Sequence, residues 1–136
     1  MLPLRVHNII DYLVGAFLIV APWVLNFADI PAARTLFLLS GIALIGYSLL
    51  TNYYFSIVRW IPLGLHMTLD TVLGLLLILA PALFSYRDLL TAAQATAHIV
   101  IGASLVALVA LTRPRTENAK TAGERAAIGN DLPTRL

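Results

Sequence analysis

A histidine precedes an aspartate by four residues in HNIIDYLVGAFLIVAPW, which begins at His7, and does so again in HMTLDTVLGLLLILAPA, which begins at His66. Residues four apart share one face of a helix, so His7 and Asp11 form a stripe continued by Gly15, and His66 and Asp70 form another continued by Gly74. An imidazole and a carboxylate so placed can make an ion pair, orient a metal-bound ring or relay a proton. In apolar surroundings each carboxylate needs a partner. The nearest candidate is the histidine of its own helix, with Ser48, Thr51 and Asn52 as further polar groups at the same end.

Two readings of the stripe stand side by side. In the structural one, His7, Asp11, His66 and Asp70 form a polar clamp that fixes helix register. In the functional one they converge on a metal ion, a haem between the repeats or a proton path, although the spacing matches no metal-site signature. The chain has no cysteine, which removes disulfides, thiolate ligands and cysteine nucleophiles. It also lacks Gly-x-Ser-x-Gly, His-Glu-x-x-His and a phosphate-binding glycine loop, so no enzyme is expected.

The elements that carry these residues are set by hydropathy. Of the 136 residues, 60% are hydrophobic and 12% charged, against about 25% charged in a soluble domain. Crossing a bilayer takes about 20 mostly apolar residues in a helix, and four stretches qualify: residues 4–28, 35–55, 63–84 and 92–111. Helices satisfy their backbone internally, and the stretches lack the alternation of barrel strands. Short breaks, such as Asp29-Ile30-Pro31 and Ser85-Tyr86-Arg87-Asp88, make consecutive helices antiparallel neighbours.

Superposed at the offset from His7 to His66, the two stretches agree at His7/His66, Asp11/Asp70, Gly15/Gly74, Leu18/Leu77, Ile19/Ile78, Ala21/Ala80 and Pro22/Pro81. Pro3 and Pro62 match upstream, and SGIALIGYSLLTN aligns with IGASLVALVALTR when the second connection is two residues longer. The expected fold is therefore all-α: a four-transmembrane-helix bundle over residues 1–112 made of two tandem two-helix repeats, about 3–58 and 62–112. An even number of spans per repeat relates them by a pseudo-twofold along the membrane normal. Residues 113–136 read as a polar cytoplasmic tail.

Basic residues set the expected orientation. Arg5, Arg59, Arg113, Arg115, Lys120, Arg125 and Arg135 fall on one side and Arg34 and Arg87 on the other, which puts both termini in the cytoplasm of a bacterium and the bundle in its inner membrane. Tyr53, Tyr54 and Trp60 then lie at the inner interface, and Trp23, Phe27, Phe84 and Tyr86 at the outer. The basic excess comes from few residues, clustered at segment ends, so nucleic acid is not an expected partner. The partners are the lipid bilayer and either copies of the chain or a membrane complex, and small residues such as Gly41, Gly46 and Gly102 offer close-packing faces either within the bundle or between protomers.

Pro22 and Pro81 each remove a helical hydrogen bond and should kink or end their helices near the outer face. His98 aligns with Phe37 and lies too far along its helix to join the other histidines. It is expected to pack among Ala95, Ala97 and Gly102 and to bond backbone.

The assembled pattern resembles the SPW-repeat family of small bacterial integral membrane proteins. The resemblance is carried by His7, Asp11, Tyr12, Gly15 and Ala21-Pro22-Trp23, then by His66, Asp70, Gly74 and Ala80-Pro81, and covers about residues 5–112. Ala21 stands where the family tripeptide has serine, and the second copy reads Ala80-Pro81-Ala82. The resemblance implies a membrane location and supplies no catalytic residue. The function expected is that of a structural or accessory subunit acting through helix packing. The alternatives are a haem or metal centre on His7 and His66 and a proton-coupled channel on Asp11 and Asp70.

Overall fold

A computed structural model describes residues 2–51 and 60–112. The expectations for Asn52, Tyr53, Tyr54, Arg59 and the 113–136 tail lie outside them. The described chain forms α1 (Leu4–Val24), α2 (Pro31–Leu50), α3 (Leu63–Leu83) and α4 (Ala92–Leu111), with one 3₁₀ turn, Arg87–Leu89, before α4. All four helices are long and apolar enough to span a membrane. α1 packs chiefly on α2 and α3 on α4, and α2 lies against α3.

α1 stops at Val24, four residues short of the apolar run, at a turn built on a left-handed residue. The Pro22 carbonyl accepts the Phe27 N–H at 2.9 Å while Asn26 takes a left-handed φ of 56°. The second repeat copies this termination, with Tyr86 N–H on the Pro81 carbonyl at 3.1 Å and Ser85 at φ 54°. This is a Schellman closure, in which a left-handed residue just past the helix lets later amides reach back to its last free carbonyls. It turns the next side chain inward: Phe27 and Tyr86 are both buried. α2 begins with Pro31 at its first turn, where a missing N–H costs nothing. α4 begins with a capping box, Thr91 accepting from Gln94 N–H and Gln94 accepting from Thr91 N–H.

Glycines set how closely the helices approach. A β-carbon on Gly74 would sit 2.6 Å from the Gly102 carbonyl oxygen, and one on Gly41 would sit 2.6 Å from that of Gly15. Each repeat is thus a hairpin of two backbones in near contact, the packing that small residues permit in lipid.

Equivalent residues from the two repeats meet at both ends of the bundle. His7 and His66 have ring centroids 5.9 Å apart at one end, and Phe37 and His98 have theirs 4.7 Å apart at the other. Those two meetings place a pseudo-twofold along the bundle. The backbone closes the same way: Leu2 N–H donates to Leu111 O and Ile61 N–H to Leu50 O, both at 2.9 Å, so the start of each repeat is pinned to the end of the other.

Candidate functional site

Burial departs from that of a soluble fold at both the surface and the interior. Leu13, Leu39, Val72 and Ile99 face outward, while His7, Asp11, His66 and Asp70 are 0% exposed. Large apolar residues outside and ionisable ones inside suit lipid as the surrounding solvent.

The structure brings all four of these residues into one cluster. His7 Nε2 lies 3.1 Å from Asp70 Oδ2, and His66 Nε2 lies 3.2 Å from Asp11 Oδ2. Within each helix the spacings are 3.5 Å for His7 to Asp11 and 3.1 Å for His66 to Asp70. The expectation of a partner on the same helix is therefore incomplete. The Oδ2 atom of each carboxylate is shared by both rings, because the pseudo-twofold passes between the stripes and turns each toward the other.

The other nitrogen of each ring fixes its orientation. His7 Nδ1 is 2.8 Å from Thr112 Oγ1, and His66 Nδ1 is 2.8 Å from Thr51 Oγ1. Each hydroxyl spends its own proton on the carbonyl four residues back, Leu108 O at 2.7 Å and Tyr47 O at 2.6 Å. The threonines can then only accept, so both rings donate from Nδ1 and present Nε2 to the carboxylates. Taking charges out of water is costly unless they are paired and hydrogen-bonded, and the quartet meets that demand across the repeat boundary.

The symmetry is not complete. Tyr47 donates its hydroxyl to Asp70 Oδ1 at 2.6 Å. Its counterpart in the second repeat is Leu108, and the matching oxygen, Asp11 Oδ1, is buried with no hydrogen-bond partner among the described residues. Sequence reasoning named Thr51 but missed Thr112, whose signal was its place opposite Thr51 in the aligned repeats. It also missed Tyr47, for which the repeat gives no signal. Ser48 is buried nearby without a hydrogen-bond partner among the described residues.

A haem does not fit. A porphyrin ligated by His7 and His66 would have to lie between the two Nε2 atoms, where the Asp11 and Asp70 carboxylates already stand.

The opposite end holds a second cluster. His98 is boxed by Phe37, Phe27 and Tyr86, with centroid separations of 4.7, 5.4 and 5.7 Å, aromatic neighbours that sequence reasoning did not name. Its Nδ1 donates to the Gln94 carbonyl at 2.8 Å, the backbone bond expected of it. Gln94 in turn donates through Nε2 to Leu25 O at 3.1 Å and Asn26 O at 2.8 Å, tying the second repeat to the turn of the first.

Four apolar spans around a buried polar core define a multi-pass membrane protein. The SPW repeat domain matches residues 5–115, most of the chain, and the protein belongs to that family. Comparison with curated proteins returns no match, and comparison with solved structures returns none.

Proposed function

We propose that the protein is a non-enzymatic subunit of the bacterial cytoplasmic membrane, with both termini cytoplasmic, which acts through the packing of its outer helix faces. The quartet is the joint between its halves. The observation that carries this reading is that each half completes the other's polar pair, His7 with Asp70 and His66 with Asp11. Once so joined, the four helices form one rigid block whose exterior is apolar and available to a second copy or to a larger membrane complex.

Two features favour packing over conduction. Between the quartet and the aromatic box the buried positions Leu18, Leu44, Leu77 and Leu105 are apolar and Ser40 is the one buried polar side chain among the described residues, too little to make a polar track for ions. The polar groups of the quartet are also bound mainly to one another and to the threonines.

Crosslinking in native membranes, followed by mild extraction and mass analysis, tests the proposal. A dimer or a reproducible hetero-complex is the expected product. A protein that stays monomeric and partnerless under these conditions removes the reading. The joint has its own test: His7→Ala and Asp70→Asn should each lower the thermal midpoint in detergent, with a double variant less damaging than the sum.

A further inference from the structure

We propose that the quartet is a binding site for one divalent transition-metal ion, held by Nε2 of His7 and His66 and by Oδ2 of Asp11 and Asp70. The inference rests on the quartet being the joint between the repeats, and adds that the joint is closed by a metal.

Geometry is the first argument. One donor atom from each residue falls within 4.8 Å of the other three, and the four nitrogen–oxygen separations run 3.1, 3.1, 3.2 and 3.5 Å. Bonds of about 2.0–2.1 Å from nitrogen and oxygen to a tetrahedral zinc-like ion put neighbouring ligands about 3.3 Å apart. Four of the six edges of such a shell, the nitrogen–oxygen ones, are already near that length, and the nitrogen–nitrogen and oxygen–oxygen pairs lie within 4.8 Å.

Ligand preparation is the second. A metal-binding histidine needs one nitrogen bare and the other hydrogen-bonded, so that the tautomer and the ring direction are fixed. Thr112 and Thr51 do this for His7 and His66. Tyr47 holds the outer oxygen of Asp70, leaving Oδ2 to bind alone. Asp11 Oδ1 is wholly buried and without a hydrogen-bond partner among the described residues, so this carboxylate has capacity left over beyond its contacts with the two rings.

Charge and ligand type name the class of ion. Two carboxylates, two neutral imidazoles and a dication sum to zero, the balance that a site sealed from water requires. Two nitrogens with two oxygens and no sulfur favour zinc, iron(II), cobalt(II) or manganese(II) over copper(I) and over calcium. His7 is the fourth residue of α1, about 5 Å from the helix start at 1.5 Å per residue, so an ion has a short way to travel from the aqueous side.

The test uses the full chain in mild detergent, stripped with a chelator and titrated with cobalt(II), with zinc(II) measured by elemental analysis. One equivalent should bind, with visible cobalt bands of four-coordinate type and a raised thermal midpoint. His66→Ala and Asp11→Asn should abolish the bands. Tyr47→Phe keeps every ligand and should weaken binding about 10- to 100-fold, the range for loss of an outer hydrogen bond. Helical circular dichroism establishes that each variant is folded. If the intact wild-type bundle takes up neither ion, or if all three folded variants bind as it does, the metal site is overturned. If quartet variants still destabilise a protein that binds no metal, the joint stands without it. If they leave stability unchanged, the joint fails as well.

Discussion

Substituting alanine at Gly102 measures how much of this bundle depends on backbone contact. A β-carbon there would collide with the Gly74 carbonyl oxygen, and in the reverse direction a β-carbon on Gly74 lies 2.6 Å from the Gly102 oxygen. Ordinary contact begins at 3.4 Å, so α3 and α4 must part by about 0.8 Å for alanine at Gly74, the difference of 3.4 and 2.6 Å, and by more for alanine at Gly102. The obstacle is a carbonyl rather than the tip of a side chain, and no rotamer change relieves it. Overpacking of this kind costs about 1–3 kcal/mol. Gly46 supplies an internal control, because nothing lies within 4 Å of a β-carbon added there. Alanine at an open helical position gains about 0.5–1 kcal/mol over glycine. The helical gain is common to both sites, so Gly102→Ala and Gly46→Ala should differ by the overpacking alone, about 1–3 kcal/mol, in unfolding followed by helical circular dichroism in mild detergent. Should Gly102→Ala prove as stable as Gly46→Ala, the glycine contact is not what sets the helix separation.

Other perturbations read the two ends of the bundle. Thr112→Val strands the Nδ1–H of His7 and should cost about 1–3 kcal/mol, while Thr112→Ser keeps the acceptor and most of the stability; thermal midpoints decide between them. Gln94→Ala removes the bonds to Leu25 and Asn26 together with half of the capping box, for about 1–2 kcal/mol, and Gln94→Glu, which retains the cap acceptor but not the donors, should fall between it and wild type. Burial pushes the Tyr86 phenol from the usual 10.0 up to about 12. The unfolded chain then loses this proton first, so stability should fall as pH rises across that window, and Tyr86→Phe should remove that part of the alkaline loss in a midpoint-versus-pH series.

What the sequence made legible, and what it did not, follows the symmetry. His7, Asp11, Gly15 and Pro22 could be found because each has a twin 59 residues on, and twins of one repeat reach a shared axis at the same depth. The partner across that axis could not be read from i, i+4 spacing, which describes one helix only. Which stripe faces which depends on helix rotation, and rotation is set by contacts such as Gly15 with Gly41 and Gly74 with Gly102. The end of α1 at Val24 was hidden for a different reason: Leu25 and Phe27 are as apolar as the span, and only the left-handed Asn26 stops the helix. The least legible residues are those that break the repeat. Phe37 aligned with His98 and Tyr47 with Leu108 look like drift in an alignment, yet in three dimensions each decides a local environment. Tyr47 supplies Asp70 with a donor that Asp11 lacks, so two carboxylates of identical sequence context are chemically distinct. Duplication produced a symmetric frame, and one departure from it, Tyr47 against Leu108, falls beside the buried charges. Asp11, with its unbonded oxygen, is accordingly the carboxylate at which a ligand would add most to what the protein already provides.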